Sequence, residues 1–335
     1  MTIYKEASEI DLLIKNAQKI LIIQPDNPDG DSMGSALALE QILGDLGKVT
    51  EMICGAKIPD YLSYLSGWDR VSDFCSIDFD LSIVVDTSST SLLYNITKHH
   101  GLNFMSSKPL IVIDHHSNTQ NIEFATISLN IPSASATSEV IYELSKQLNW
   151  QVNKRAMDSI TAAILSDTLG LTTVNVSSRT IYIIAELVDN GVSLSELENN
   201  RKKVNFKSPE LVHYKGQLLE RIEYLLDDRL ALLTIPWSEI EHYSPLYNPS
   251  MLALEDMKLT TNTAIAIVLK IYPKGKLTAK IRSNIGWPIA GKLAEFFGGG
   301  GHDYASGFKI TSGASIEKIK SDIIVKTSEL INASI

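Results

Sequence analysis

The amino-acid sequence predicts an α/β protein with a mainly parallel first sheet and a smaller second α/β domain. Two observations lead to this class. Three short apolar runs in the first half each end in a polar cluster, and helical patterns precede or follow them. Continuous apolar strands are typical of parallel sheets that are covered on both faces. With 335 residues, the chain is long enough for two packed domains.

The first half alternates helical and strand patterns. Apolar periodicity predicts these elements in chain order: a helix at about 5–16, a strand at 20–23, a helix at 33–46, strands at 81–85 and 110–113, and helices at 137–148, 156–167 and 178–190. The three strands run into polar residues at 26–31, at Asp86 and at 114–116. Ligands of such sheets bind at the carboxyl ends of the strands, so we expect the functional residues there.

A polar segment at 191–215 is interpreted as a connector between domains, which gives a first domain at 1–190 and a second at 216–335. The second domain is predicted to contain the following elements: a strand at 230–235, strand-like alternation at 264–281, a helix at 288–297, a glycine-rich loop at 298–301 and a closing helix at about 316–330.

Composition excludes several classes of protein. Thirty basic and 39 acidic side chains give a net charge of −9, which argues against a generally basic duplex-binding surface. No run approaches the ~18 apolar residues of a membrane span, and residues 1–9 lack a signal-peptide core, so we expect a cytoplasmic protein with no membrane partner. Two cysteines, Cys54 and Cys75, are too few for a disulfide framework and are expected to be small buried apolar residues.

Acidic and imidazole side chains follow the predicted strands. Asp29 and Asp31 fit either a turn, in which Asp31 or Ser32 caps the next helix, or an extended corner whose two carboxylates bind cations. Asp86 alone would more often be a helix cap than a ligand. The His115–His116 pair is a stronger signal, because two adjacent imidazoles end an apolar strand.

Two further features of the first domain can be interpreted from the sequence. The pair at 99–100 lies in a polar context and is interpreted as a solvated loop. Asp167 ends an apolar helix, where the helix dipole disfavours a carboxylate, so we expect a compensating cation beside it.

Together these pieces resemble the four motifs of the DHH phosphoesterase superfamily. The matching residues, in chain order, are Asp29 and Asp31, Asp86, Asp114 with His115 and His116, and Asp167. The segment 298–308, Gly-Gly-Gly-Gly-His-Asp-Tyr-Ala-Ser-Gly-Phe, resembles the glycine-rich loop of the DHHA1 domain. Among DHH–DHHA1 proteins, a stand-alone chain of this length looks most like the nanoRNase/pAp-phosphatase group.

The resemblance implies a two-metal hydrolase of short oligonucleotides or dinucleotides, with pAp as a further substrate. One metal would be held by Asp31, Asp86, His115 and Asp167, and the other by Asp29 with Asp86 bridging. Asp86 and His116 would be catalytic, His116 facing the phosphate as a proton donor or a positive charge. Oxygen ligands with one imidazole suit Mn²⁺ or Mg²⁺.

The first motif departs from the family pattern. The family has a His four residues before its first Asp, and that position here is Pro25. Asp26 would point to the opposite side of an extended segment, and Gln24 offers only a neutral oxygen. We therefore expect one metal to bind more weakly than the other.

Substrate recognition is predicted mainly in the second domain. Six basic and no acidic residues lie between 270 and 292: Lys270, Lys274, Lys276, Lys280, Arg282 and Lys292. The alternative is that they are edge-strand charges that prevent strand pairing. The resemblance assigns the following residues to substrate binding, together with His116: Arg282, Ser283, Asn284, Gly299, Gly300, Gly301 and His302.

An acidic metal cluster and one small basic patch suit short single-stranded oligonucleotides rather than duplex DNA. The resemblance leaves a homodimer open. Two alternatives remain: a pyrophosphatase-like DHH enzyme, which the glycine-rich loop argues against, and a non-catalytic or single-metal nucleotide-binding protein, which Pro25 favours.

Overall fold

A computed structural model describes residues 3–75, 78–117, 122–311, 313 and 315–334. The chain forms two compact units, one ending at Phe206 and the other beginning at Lys207. The predicted domain limits of 1–190 and 216–335 remain a prediction. No helix within the described residues is long and apolar enough to cross a bilayer.

The first unit is built on a six-stranded parallel sheet with the order β3-β2-β1-β4-β5-β6. Its strands are β1 (Lys19–Gln24), β2 (Val49–Cys54), β3 (Val71–Ser72), β4 (Leu81–Val85), β5 (Leu110–Asp114) and β6 (Ile127–Asn130). Its helices are α1 (Ala7–Asn16), α2 (Gly30–Asp45), α3 (Tyr94–His100), α4 (Leu102–Ser106), α5 (Thr137–Gln147), α6 (Lys154–Asp167), α7 (Ser178–Asp189) and α8 (Leu194–Val204).

Alternate residues of the central strand β1 enter two different cores. Ile20 and Ile22 belong to the core that includes residues of α1, α2, α5 and α6. Leu21 and Ile23 belong to the opposite core. Because both faces of the sheet are covered, the strand is apolar at each position from 20 to 23, which is the pattern that the sequence shows.

The second unit is built on a mixed six-stranded sheet with the order β11-β12-β10-β9-β8-β7, in which only β8 and β9 pair in parallel. Its strands are β7 (Glu223–Leu225), β8 (Leu230–Ile235), β9 (Ile265–Tyr272), β10 (Lys276–Ser283), β11 (Gly300–His302) and β12 (Ala305–Ile310). Its helices are α9 (Pro209–Glu220), α10 (Trp237–Tyr243), α11 (Pro249–Lys258), α12 (Ala290–Phe296) and α13 (Ile316–Asn332).

The predicted fold class is confirmed, whereas some local predictions are wrong. The 99–100 pair lies in helix α3 rather than in a loop. The predicted glycine-rich loop contains strand β11, which pairs with β12. Strands β2 and β6 were missed, because β2 begins with partly exposed residues and β6 has only four residues. Cys54 and Cys75 are both buried, as expected.

Candidate active site

The predicted site residues of the first unit gather at the carboxyl ends of β1, β4 and β5. Asp86 directly follows β4, while His115 and His116 directly follow β5. Asp31 lies in the first turn of α2, the helix that follows β1, and Asp167 is the last residue of α6. Each side chain is therefore held by an end of a regular element rather than by a long loop.

Two glycines of α2 let it pack closely against α6. A Cβ atom at Gly30 would lie 2.0 Å from Ser166 Oγ, and one at Gly34 would lie 2.7 Å from the Cβ of Ala163. Larger side chains would push the helices apart. This close approach brings the start of α2 beside the end of α6, and with them Asp31 beside Asp167.

The carboxylate of Asp29 caps α2. Its Oδ1 accepts hydrogen bonds from the backbone N–H groups of Asp31 and Ser32, both at 3.0 Å. Capping by Asp31 or Ser32 was therefore the wrong expectation, because the helix begins at Gly30, three residues before the predicted start. Asp29 is extended as expected, with φ of −128°, but Asp31 is already helical, so the two residues do not share one extended segment.

His115 stands at the centre of a carboxylate cluster. Its Nε2 lies 3.6 Å from Asp86 Oδ1, 3.6 Å from Asp167 Oδ2 and 3.8 Å from Asp31 Oδ2. Its Nδ1 lies 3.3 Å from the carbonyl oxygen of Ala134. A carbonyl oxygen only accepts, so Nδ1 carries a proton, and Nε2 is the ring nitrogen that faces the carboxylates and can coordinate a cation.

This arrangement fits a divalent cation. His115 Nε2 is buried and has no hydrogen-bond partner among the described residues. Two ligands of one cation, each bound at about 2.1 Å, lie roughly 3–4 Å apart, and the distances from Nε2 to the three carboxylates fall in that range. Asp31, His115 and Asp167 form one group with metal-ligand spacing, and Asp86, His115 and His116 form another.

The cluster concentrates negative charge in a buried place. Burial, together with the charges of Asp31 and Asp29, raises the pKa of Asp86 well above its ordinary value. Burial and then Asp31 raise the pKa of Asp167 to about 6, although the nearby imidazoles of His115 and His116 act in the opposite direction. A cation at this place would stabilise the ionised carboxylates.

The backbone of Asp86 adopts the left-handed conformation, with φ of 61°. This conformation is unfavourable for a residue other than Gly and is typical of functional positions that the surrounding fold over-determines. The Asp86 N–H donates to the Ile113 carbonyl of the neighbouring strand at 2.9 Å. The end of β4 is thus held in place although the backbone of the next residue, Asp86, departs from strand geometry.

The N-terminus of α5 anchors two of the carboxylates, which the sequence did not predict. Asp31 accepts from the Thr137 N–H at 2.6 Å and from the Ser138 hydroxyl at 2.8 Å. The Thr137 hydroxyl donates to Asp86 Oδ1 at 3.0 Å. Helix N-termini stabilise negative charge, so α5 both orients and partly neutralises the cluster.

Asp114 orients His116. Asp114 Oδ1 accepts from His116 Nδ1 at 2.8 Å, and Oδ2 accepts from the Ser88 hydroxyl at 2.6 Å. Burial opposes the ionised form of Asp114, but hydrogen bonds from His116 and Ser88 outweigh it and lower the pKa of that carboxyl. The same hydrogen bond raises the pKa of His116. The His116 side chain is 54% exposed, compared with 9% for His115, so it is accessible to a ligand.

The neighbours of Pro25 are candidates to replace the imidazole. Asp26 Oδ2 accepts from the Asn95 N–H at 2.8 Å and holds the start of α3, whereas its buried Oδ1 has no hydrogen-bond partner among the described residues. Gln24 is fully buried, and neither atom of its amide has a hydrogen-bond partner among the described residues. Asp26 belongs to neither group with metal-ligand spacing.

The substrate-binding residues predicted in the second unit lie at the end of β10 and along β11. Ser283 and Asn284 donate to backbone carbonyls: Ser283 Oγ to Asp303 at 3.0 Å, and Asn284 Nδ2 to Lys258 and Thr263 at 2.7 Å each. Their donor groups therefore fix the local backbone.

Arg282 Nη1 donates to the adjacent Ile281 carbonyl at 2.9 Å, its one hydrogen bond among the described residues. The interpretation of Arg282 and Lys280 as edge-strand charges is wrong, because β10 pairs with β9 on one side and β12 on the other.

The glycine segment allows close packing of two backbones. A Cβ atom at Gly299 would lie 2.3 Å from the Gly307 carbonyl oxygen, and one at Gly301 would lie 2.6 Å from Ser306 Cα. Gly301 also has φ of 140°. Gly300, Gly301 and His302 are exposed on strand β11, so their outer surface is available to a ligand.

Comparisons with known proteins agree with this architecture. Residues 19–171 match the family model described as "DHH family, N-terminal domain". The "bifunctional oligoribonuclease and PAP phosphatase NrnA" of Bacillus subtilis is 26% identical over 307 residues, which are 91% of this chain and 93% of that protein. The protein of the same name from Thermus thermophilus is 25% identical over 84% of this chain and 81% of its own length.

A solved structure has a closely similar fold. The exopolyphosphatase-related protein from Bacteroides fragilis superposes with a TM-score of 0.81 at 22% identity, covering 98% of this chain and 97% of that one. At this identity the match concerns the fold alone. Each of these relatives is similar to the chain over both of its units.

Proposed function

We propose that the chain is a metal-dependent phosphoesterase that hydrolyses short oligonucleotides or dinucleotides, because its residues 19–171 match the N-terminal domain of the DHH family. The observation that carries this proposal is the buried, unpartnered Nε2 of His115, surrounded by three carboxylates at 3.6–3.8 Å. A buried polar atom without a hydrogen-bond partner is unfavourable, and a cation held by this nitrogen and the carboxylates would satisfy it.

The residues of the cluster would hold two cations. Asp31, Asp86, His115 and Asp167 would hold one cation, and Asp29 with Asp86 would hold a second. When bound, such cations neutralise charge at phosphorus and lower the pKa of a bound water. Mn²⁺ and Mg²⁺ suit this donor set.

His116 would act on the leaving-group side of the phosphate. Its Nδ1 is engaged by Asp114 at 2.8 Å, which leaves Nε2 for the substrate. The raised pKa of His116 favours the protonated ring. A positioned imidazolium can donate a proton to the departing oxygen, and Asp114 keeps it oriented.

Recognition would lie on the second unit. Arg282 has no carboxylate partner among the described residues, and its guanidinium could bind a phosphate in a bidentate manner. His302 and the exposed backbone of Gly300 and Gly301 would contact the same part of the substrate. Ser283 and Asn284 would shape this segment through the hydrogen bonds that they donate to backbone carbonyls. The names of the two bacterial relatives support oligonucleotides and pAp as substrates.

A substrate panel tests the proposal. Full-length protein with Mn²⁺ is expected to release mononucleotides from pApA and from pentanucleotides, with little activity on long duplex DNA and none in excess EDTA. Pyrophosphate and pAp complete the panel. Turnover of pyrophosphate alone would favour a pyrophosphatase, and equal turnover of long duplex and dinucleotide would contradict a short-substrate enzyme.

Pro25 favours a second candidate, a nucleotide-binding protein with one firmly bound cation. Because neither Asp26 nor Pro25 supplies a ligand in the metal-ligand groups, we expect a Pro25→His variant to bind a second Mn²⁺ more tightly. Calorimetric titration measures this directly. Tighter binding with gained turnover supports the enzyme, whereas tighter binding without turnover in either protein supports the binding function.

A further inference from the structure

One side of the second sheet carries cations in regular rows. Residues that pair directly across an antiparallel ladder point to the same face. The register places Arg282 opposite Ala305, and Ala305 opposite His302, which forms a first row. Two residues along β10, Lys280 lies opposite Gly307 and forms a second row.

The third row contains two lysines. Thr278 of β10 lies opposite Lys270 of β9 on one side and Lys309 of β12 on the other. Strand residues between the rows, such as Ala279, Ile281 and Phe308, belong to the core on the opposite face. The three rows therefore share one face, and none of the cations belongs to an apolar core.

These cations have only neutral partners among the described residues. Lys270 Nζ donates to Asn248 Oδ1 at 3.3 Å, and Lys280 Nζ lies 3.7 Å from the sulfur of Met251. Within the described residues of this unit, the lysines and arginines that form ion pairs are not those of the rows. They are Lys215, Arg221, Lys258, Lys320 and Lys326.

Lys280 is crowded by neighbouring cations in a partly buried position. It is partly buried, and burial together with the charges of Lys270 and Arg282 lowers its pKa. Placing cations side by side in a half-buried position costs free energy unless an anion binds between them.

We propose that the second and third rows bind further phosphates of a single-stranded oligonucleotide of three or more nucleotides, beyond the phosphate assigned to Arg282 and His302. Two residues of strand advance about 6.8 Å, so the rows are spaced like successive phosphates of an extended single strand. The phosphates of an inorganic polyphosphate share bridging oxygens and are much closer together. The face therefore selects chain length, and this inference rests on the proposed function.

Calorimetry in EDTA, which prevents turnover, tests the role of the rows. The double variant Lys270→Ala/Lys280→Ala is expected to raise the dissociation constant of a pentanucleotide at least tenfold and that of pApA less than twofold. The slope of log K against log salt for the pentanucleotide should become shallower by roughly 1.4, about 0.7 for each lost contact. Lys270→Arg/Lys280→Arg should retain the length dependence.

The control Lys318→Ala/Lys320→Ala removes the same charge from α13 and should leave both affinities unchanged. The inference is wrong if the double variant loses affinity equally for the dinucleotide and the pentanucleotide, or loses none for either. It is also wrong if the control loses the same affinity, or if tripolyphosphate competes more strongly than a trinucleotide. The proposed function fails separately, if wild-type protein with Mn²⁺ does not hydrolyse pApA. If wild-type protein hydrolyses pApA and the double variant keeps the same dependence on substrate length, the inference about the rows is wrong and the proposed function stands.

Discussion

The carboxylate cluster of the first unit and the cationic rows of the second are built on opposite principles. Asp31 and Asp86 of the cluster are buried, α5 anchors both carboxylates, and the backbone of Asp86 is left-handed. The cations of the rows are partly or fully exposed and have neutral partners. A rigid buried group can act on a reacting atom, whereas mobile surface cations supply affinity.

This difference separates chemistry from recognition. Changes in the cluster should lower kcat, because interactions there form with the transition state. Changes on the second sheet should raise KM, because a remote phosphate is bound equally before and during the reaction.

The largest effect is expected from Asp86→Asn. The change removes a charge that would contact both cations, so turnover should fall by on the order of 1,000-fold or more, since cations contribute several kcal/mol to such reactions. The metal-free variant should be no less stable than wild type in thermal denaturation, because one like charge leaves a buried acidic cluster. Asp69→Asn, on an exposed aspartate, serves as the control. Near-normal turnover of a folded Asp86→Asn variant would show that the metal assignment is wrong.

His116→Asn should come next. Loss of a positioned general acid typically costs ~10²–10⁴-fold in rate, and we expect a fall in kcat with little change in Mn²⁺ affinity. Single-turnover kinetics with pApA, compared with His99→Asn, measures the effect. A loss of Mn²⁺ binding in the His116 variant would instead make this imidazole a ligand.

Arg282→Ala should weaken substrate binding by the second unit. Loss of one charge-assisted contact costs on the order of 1.5–3 kcal/mol, which is about 10- to 150-fold in KM, with kcat nearly unchanged. Arg282→Lys should restore part of the affinity but not a bidentate contact. A fall in kcat at constant KM would place this arginine in the chemistry.

A smaller change is expected from Thr137→Val, which keeps the backbone N–H bond to Asp31 but removes the hydroxyl bond to Asp86. One net hydrogen bond is worth about 0.5–1.5 kcal/mol, so Mn²⁺ affinity should weaken roughly 2- to 10-fold. Thr137→Ser should restore it, because the hydroxyl is retained. If the serine and valine variants lose the same affinity, the effect comes from packing rather than from orientation of the carboxylate.

The sequence predicts the functional residues at the strand ends better than it predicts the residues that hold them in place. Asp86 and the 115–116 pair follow apolar runs, and the end of such a run is visible in the pattern itself. Thr137 and Ser138 look like an ordinary helix start, so nothing local indicates that they bind carboxylates more than 50 residues away along the chain.

The same limit applies to the second sheet. Lys270 and Lys280 stood out by composition, but Lys309 joins their face only through the register of β10 with β12. An edge-strand interpretation of β10 failed because the chain order of strands does not give their order in a sheet. The prediction for Asp29 was wrong for a local reason: its carboxylate caps α2, which begins three residues before the predicted helix.

The most direct test of the account is a Mn²⁺ titration of metal-free protein, followed by calorimetry and by the rate of pApA hydrolysis under the same conditions. We expect the rate to rise with bound Mn²⁺, and His115→Ala to lose both binding and rate, because Nε2 is the atom that the three carboxylates surround. Full hydrolysis without metal, or unchanged Mn²⁺ binding in a folded His115→Ala variant, would contradict the account.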